Sequence, residues 1–211
     1  MCRKLLTLLF IIFVAAGLAS CASSPETYEN PPAEGGYEPP ELAVTSALID
    51  GIMASYSGRA FADIAVADDL IDVILQCGQK APSAINAQPW HFTVVKNSET
   101  AARLVPRDYR DGAAVIIISG IPDERRGVDV AFDCALATQN MYLAAQSLGL
   151  GAHIYYSGVH EVNGSMKAPL GVPDGYDAQM ILLIGHMYGD VDGTTSATPR
   201  NPVGDNVNFI D

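Results

Sequence analysis

Ser83, Asn86 and Gln88 lie within six residues, in the stretch Ala81-Pro82-Ser83-Ala84-Ile85-Asn86-Ala87-Gln88-Pro89-Trp90. Each has a short polar side chain able to donate and to accept. Pro82 and Pro89 stiffen the two ends, and each pushes its predecessor out of the helical region. A rigid loop with these groups is suited to fixing a planar heteroaromatic ligand edge-on. The same residues also make an ordinary helix-to-strand turn, and composition does not separate the two readings. Two cations stand apart as partners for an anion. Arg59 is the first basic residue after Lys4, and Arg200 is the last, alone after Lys167.

The elements that must carry these residues follow from periodicity. Glu41 to Ser55 has the apolar spacing of a helix, and Gly58 is a plausible stop beyond it. Asp68 or Asp69 starts a second helix that runs from Leu70 to Gln79 and delivers the polar loop. His91 to Lys96 is then a short strand, and Ser98 to Leu104 a small helix. Ala113 to Ser119 is a continuous apolar run, as expected of a strand buried on both faces. Val128 to Leu148 is Ala-rich and apolar almost all round, so it must be buried. In a chain this small a partner subunit is a natural place for that burial. Ala152 to Ser157 reads as a strand, His160 to Leu170 as a short helix and Gln179 to Ile184 as a last core strand. The tail from Tyr188 to Asp211 is rich in Gly, Thr and Pro. The order has no regular βαβ rhythm and no dinucleotide or P-loop fingerprint. Gly149-Leu150-Gly151 falls at a helix end and reads as a stop. The class is α+β, a sheet covered by helices.

Other residues have plainer readings. Trp90 reads as core or interface packing. Tyr155 and Tyr156 alternate on a strand, so one faces inward. His91, His153, His160 and His186 show no metal-like grouping and read as surface or core residues. Arg103, Arg107 and Arg110 read as a solvated face. Cys77 and Cys134 each sit in a helical pattern and read as small hydrophobes, with a single disulfide as the other option.

The chain has 211 residues, 49% hydrophobic and 17% charged, which suits one globular domain. Its N-terminus has a different character. Met1-Cys2-Arg3-Lys4 is a basic start, and the apolar run from Leu5 to Ala16 has the length of a signal segment, too short for a spanning helix. Leu18-Ala19-Ser20-Cys21 resembles the lipobox of bacterial lipoproteins, which implies cleavage before Cys21 and lipidation on it. A plain secretory signal is the other reading. Ala22 after the cysteine favours the outer membrane in a Gram-negative host. The expected organisation is therefore a signal over 1–20, a lipidated Cys21 with a tether over 21–41, and a folded domain over 42–211. The tether is rich in Pro, Gly and Glu, cannot bury a core, and spans roughly 25 Å as a flexible chain. Without Arg3 and Lys4, the twelve basic residues fall to ten against 24 acidic, a formal charge of −14. That argues against nucleic-acid binding and against an electrostatic membrane patch.

Four segments, taken together, resemble the FMN-dependent nitroreductase family. They are Ser57-x-Arg59-x-Phe61, Ala81-Pro82-Ser83-Ala84-x-Asn86-x-Gln88-Pro89-Trp90, the helix end Gln139-Asn140 to Gly149-Leu150-Gly151, and Thr198-Pro199-Arg200-Asn201-Pro202. The likeness covers about 42 to 205. It implies a three-layer sandwich, with a central, mainly antiparallel sheet flanked by helices, in an intertwined homodimer with FMN at the subunit interface. It implies that Ser57, Arg59 and Arg200 meet the FMN phosphate and ribityl chain. Pro82, Ser83, Ala84, Asn86 and Gln88 would line the ring, and Tyr156, Ser157 and Gly158 would lie along it near N5. The implied activity passes hydride or electrons from NAD(P)H, or another donor, to nitroaromatics, quinones or related small acceptors. No protein acid or base is required, so no catalytic side chain and no metal ligand is named. Three departures thin the phosphate site. Ser55 stands where the family commonly has arginine, Tyr56 where a basic residue is common, and Thr198 where lysine often precedes the last arginine. A flavin-binding or interaction lipoprotein that keeps the dimer without turnover is the alternative.

Overall fold

The computed structural model describes residues 47–123, 129–189 and 200–210. The signal, Cys21, the tether, positions 41–46 of the first expected helix, and Thr198 lie outside the described residues. The rest belongs to one compact unit that begins at Ala43.

Helix α1 spans Ala47–Ala54 and α2 spans Asp68–Gln79. Strand β1 is Trp90–Val95, followed by α3, Ser98–Leu104. Strand β2 is Ala114–Gly120, and the long helix α4 is Val130–Ser147. Strand β3 is Gly151–Tyr155, α5 is the single turn Val159–Glu161, and β4 is Asp177–Gly185. The four strands form one antiparallel sheet in the order β1-β2-β4-β3.

The apolar run read as a doubly covered strand is β2, and all seven of its residues are buried. Successive side chains on a strand point to opposite faces, so β2 feeds two cores. Ala114, Ile116 and Ile118 pack with Leu182, Ile184, Ile74 and Met141 under α2 and α4. Val115 and Ile117 pack with Ile181, Leu183, Leu104 and Val162 under α3 and the segment after β3. Burying each such side chain stabilises the fold by about 1.5–3 kcal/mol. The result is the expected three-layer sandwich, with the sheet wholly antiparallel among the described residues.

Two helices differ from expectation. His160 to Leu170 is not one regular helix: α5 passes into a wide, π-type turn over Val162–Met166. Within that turn, Asn163 bonds the backbone of β4 through both side-chain atoms, accepting from the Ala178 N–H at 2.7 Å and donating to its carbonyl at 3.0 Å. A side chain that pairs like a strand neighbour draws the helix out of its regular pitch. Helix α4 buries one face, including Asp133, Cys134, Ala137, Met141 and Tyr142, while Phe132 stays 64% exposed. Helix α1 buries none of its residues, and its Leu48 and Met53 are largely open. Cys77 and Cys134 are both free. Trp90 is buried in the α2/α4 core, where its indole N–H donates to Gln79 Oε1 at 3.0 Å.

Candidate functional site

The segment after α1 lies against the C-terminal half of α4. The Tyr56 N–H donates to Gln146 Oε1 at 3.1 Å, and Ser57 Oγ is 3.5 Å from Tyr142 Oη. Phe61 is buried and bridges Met187, while Ala62 N–H and the Ala60 carbonyl pair with the chain just after β4. These anchors hold Ser57 and Arg59 at the surface between fixed points.

Arg59 meets a cluster that the sequence reading did not single out. Its Nη2 is 3.0 Å from His153 Nε2, and its Nε is 3.9 Å from Asp108 Oδ2. Tyr155 donates its hydroxyl proton to that same Asp108 oxygen. His153 and Tyr155 share a face of β3 two residues apart, with ring centroids 4.5 Å apart. Asp108 and His153 are buried, while the Arg59 side chain is 53% exposed. Burial, reinforced by the Arg59 charge, lowers the His153 pKa, and Asp108 pulls it partly back. His153 Nδ1 is buried with no hydrogen-bond partner. Burial and Asp108 raise the pKa of Tyr155, keeping its proton in place. The available signal was the His-x-Tyr spacing on a strand, which puts both rings on one face.

The polar loop sits at the other end of α4. Ala84 to Asn86 forms a 3-10 turn, and the Ala84 N–H donates to both oxygens of Asp133, at 3.1 and 3.3 Å. Asp133 is 1% exposed, in the first turn of α4, where the helix dipole favours a negative charge. It too went unremarked in the sequence, although a lone carboxylate in an apolar helix needs a partner. Within the loop, Ser83 Oγ accepts from the Gln88 N–H at 3.0 Å, and Gln88 Nε2 donates to the Asn86 carbonyl at 3.3 Å. Ile85, Asn86 and Gln88 have φ of +50°, +57° and +47°. Left-handed backbone costs about 1–2 kcal/mol per residue outside glycine, and is least tolerated by a β-branched residue such as Ile85. The Asp133 anchor and the bonds inside the loop hold it there. Pro82, Ala84, Asn86 and Gln88 are exposed, and Ser83 is half-buried.

The remaining expected site residues divide. Tyr155 turns inward, whereas Tyr156 is 78% exposed and Ser157 is exposed beside it. Gly158 is buried. A Cβ there would lie 2.7 Å from the Leu104 carbonyl oxygen, so packing alone requires glycine and only its backbone remains for a ligand. Arg200 is exposed, ahead of a 3-10 turn at Val203–Asp205. Arg103 and Arg110 lie on an exposed face as expected, with Arg103 bonded to Glu161 at 2.6 Å and Arg110 to the Tyr109 carbonyl at 2.7 Å.

Helix α4 sets the distance between the halves. Asp133 holds the loop and Gln146 holds the Arg59 segment. Thirteen residues at 1.5 Å rise separate them by about 20 Å. The Ser57–Arg59 segment is therefore anchored toward one end of α4, and the Ser83–Gln88 loop toward the other.

The sequence signature described as "Nitroreductase family" matches residues 52–111 and 107–186. A relative from Methanothermobacter thermautotrophicus, named "Putative NADH dehydrogenase/NAD(P)H nitroreductase", is 36% identical over 127 residues; the match covers 57% of this chain and 65% of that one. A protein of the same name from Archaeoglobus fulgidus is 31% identical over 157 residues, covering 68% of this chain and 87% of that one. The crystal structure of a nitroreductase with bound FMN from Bacteroides fragilis has a TM-score of 0.64 at 22% identity, covering 79% of this chain and 100% of its own.

Proposed function

We propose, from the premise that this chain belongs to the nitroreductase family, that it is a homodimeric FMN-dependent oxidoreductase drawing on NAD(P)H or another donor. The observation that carries this reading is the division of the polar groups into two half-sites, whose anchors Asp133 and Gln146 lie about 20 Å apart along α4. One chain holds a cation and the other supplies a ring-binding loop, so two copies are needed to surround one flavin. The exposed apolar residues agree with burial against a second copy: Leu48 and Met53 on α1, Phe132 on α4, and Phe209 and Ile210 near the end.

The residues present fit FMN. Arg59 presents guanidinium N–H groups of the kind that fork onto phosphate oxygens, with Ser57 beside it. The strained loop exposes the amides of Asn86 and Gln88, which pair with ring heteroatoms and tune them. Tyr156 and Ser157, exposed just after β3, and the exposed Arg200 are further candidates to contact the cofactor. Bound there, FMN would supply the redox chemistry between the donor and a nitroaromatic, quinone or related small acceptor. The protein's part is to orient both reactants, exclude water and hold the cofactor. Tyr155, with its proton held by burial and by Asp108, is no acid or base in this scheme.

We also propose that Cys21 carries lipid and tethers the domain to the cell envelope, on the periplasmic side of the outer membrane in a Gram-negative host. The support is the apolar run followed by Leu18-Ala19-Ser20-Cys21 and a tether without apolar periodicity. In that compartment nicotinamide donors are scarce, so a redox protein or quinol is a candidate donor. Labelling with a radioactive fatty acid in wild type and in C21S tests the anchor; equal labelling refutes it.

A visible spectrum of the purified protein with and without FMN tests the main reading. A red-shifted, structured flavin band and quenched flavin fluorescence are expected. A colourless protein after reconstitution would overturn it. The alternative without turnover is favoured by the thinned phosphate site, with Ser55, Tyr56 and Thr198 at places where the family commonly has basic residues. NAD(P)H-driven reduction of a quinone above trace rate excludes that alternative.

A further inference from the structure

Tyr142 and Gln146 stand four residues apart on α4, so both side chains lie on the face that meets the chain after α1. Gln146 fixes the Tyr56 N–H, and Tyr142 brings its hydroxyl oxygen to 3.5 Å from that of Ser57. That spacing is long for a bond between two hydroxyls, whose usual separation is about 2.5–3.0 Å. It suits another arrangement. Two hydroxyl oxygens so spaced can both donate to one acceptor lying about 2.8 Å from each. Ser57 is exposed, whereas Tyr142 is 7% exposed and its ring packs in the α2/α4 core. The phenol is thus held ready for a ligand that enters over Ser57, with little side-chain freedom left to lose on binding.

We propose that Tyr142 is a further cofactor-binding residue, whose hydroxyl joins that of Ser57 on a single phosphoryl oxygen of FMN. The inference rests on the FMN reading above. A phosphoryl oxygen only accepts, and each hydroxyl carries one O–H to give, so both donate to it. The pair also answers the thinned phosphate site. Ser55, Tyr56 and Thr198 bring no charge where basic residues are expected, and the phenol supplies a neutral donor instead. A hydrogen bond to an ionised oxygen is roughly twice as strong as one between neutral groups.

Fluorescence quenching titrations with FMN and with riboflavin, on wild type, Y142F and S57A, test this. Wild type should prefer FMN. Y142F keeps the ring and removes one oxygen. It should lose about tenfold or more in FMN affinity, the range for a lost bond to a charged group, with riboflavin affinity unchanged. S57A should show the same selective loss. An FMN affinity in Y142F equal to wild type, a parallel weakening of both flavins, or a loss in Y142F with none in S57A overturns the proposal and leaves the FMN reading standing. Equal affinity of wild type for the two flavins overturns the proposal as well. A wild type that binds neither flavin overturns the FMN reading, and this inference with it. Should Y142F not fold, Y142M, which fills the space with an unbranched apolar side chain, carries the same expectation.

Discussion

His153 is buried beside a guanidinium, and both conditions favour its neutral form. The folded protein therefore takes up this proton at lower pH than the unfolded chain, whose histidines titrate near 6.5. As pH falls below about 6.5, the unfolded state binds protons first and stability declines. The decline ends once pH passes below the folded pKa. Urea melts from pH 7.5 to 5 should show this loss in wild type and a flatter profile in H153Q. An identical slope in both would remove His153 as the cause. Cys134 behaves oppositely: burial and the neighbouring Asp133 push its thiol up to about 12, so it should resist alkylation in the native protein at neutral pH. Rapid labelling of Cys134 before unfolding would contradict its burial.

Among the elements, two joints decide whether the half-sites form. The first is the buried Asp133, the partner of the Ala84 N–H. D133A leaves that N–H unpaired and should cost on the order of 1–3 kcal/mol, while D133N keeps an acceptor and should cost less. Denaturant melts of the two variants check the order. The second joint is Gly158. G158A drives a Cβ against the Leu104 carbonyl, an overpacking worth about 1–3 kcal/mol. It should lower the melting temperature even without flavin, because the clash lies in the core beneath β4. A variant as stable as wild type would show that the backbone moves aside freely. These joints also mark what the sequence made legible. Period and hydropathy sufficed for β2 and α4, because burial selects side chains along the element itself. Composition sufficed for the loop's polar groups. The left-handed φ of Ile85 was not legible, since the loop is anchored through the preceding Ala84 N–H by Asp133, 49 residues beyond Ala84. Nor was the cluster around His153, which needs Asp108 and Arg59 delivered from two other segments. The π-type turn after α5 was hidden for the same reason, being set by Asn163 reaching across to β4.

At the scale of the whole molecule, the length of α4 makes a prediction about which chain supplies what. If each flavin takes Arg59 from one subunit and the Ser83–Gln88 loop from the other, two defective chains can complement. R59A homodimers lose the phosphate anchor at both sites, and N86A/Q88A homodimers lose ring contacts at both. A mixed dimer pairs the intact Arg59 of the loop variant with the intact loop of the R59A chain. It therefore contains one complete site and one site lacking both sets of contacts. Separately tagged chains, refolded together and purified through both tags, should bind one FMN per dimer with wild-type affinity. If Arg59 and the loop of a single chain shared one flavin, every site in the mixed dimer would lack one set of contacts. No tight site would then appear. Titration to a stoichiometry of one per two chains thus separates the shared site from the single-chain site, whatever the physiological acceptor.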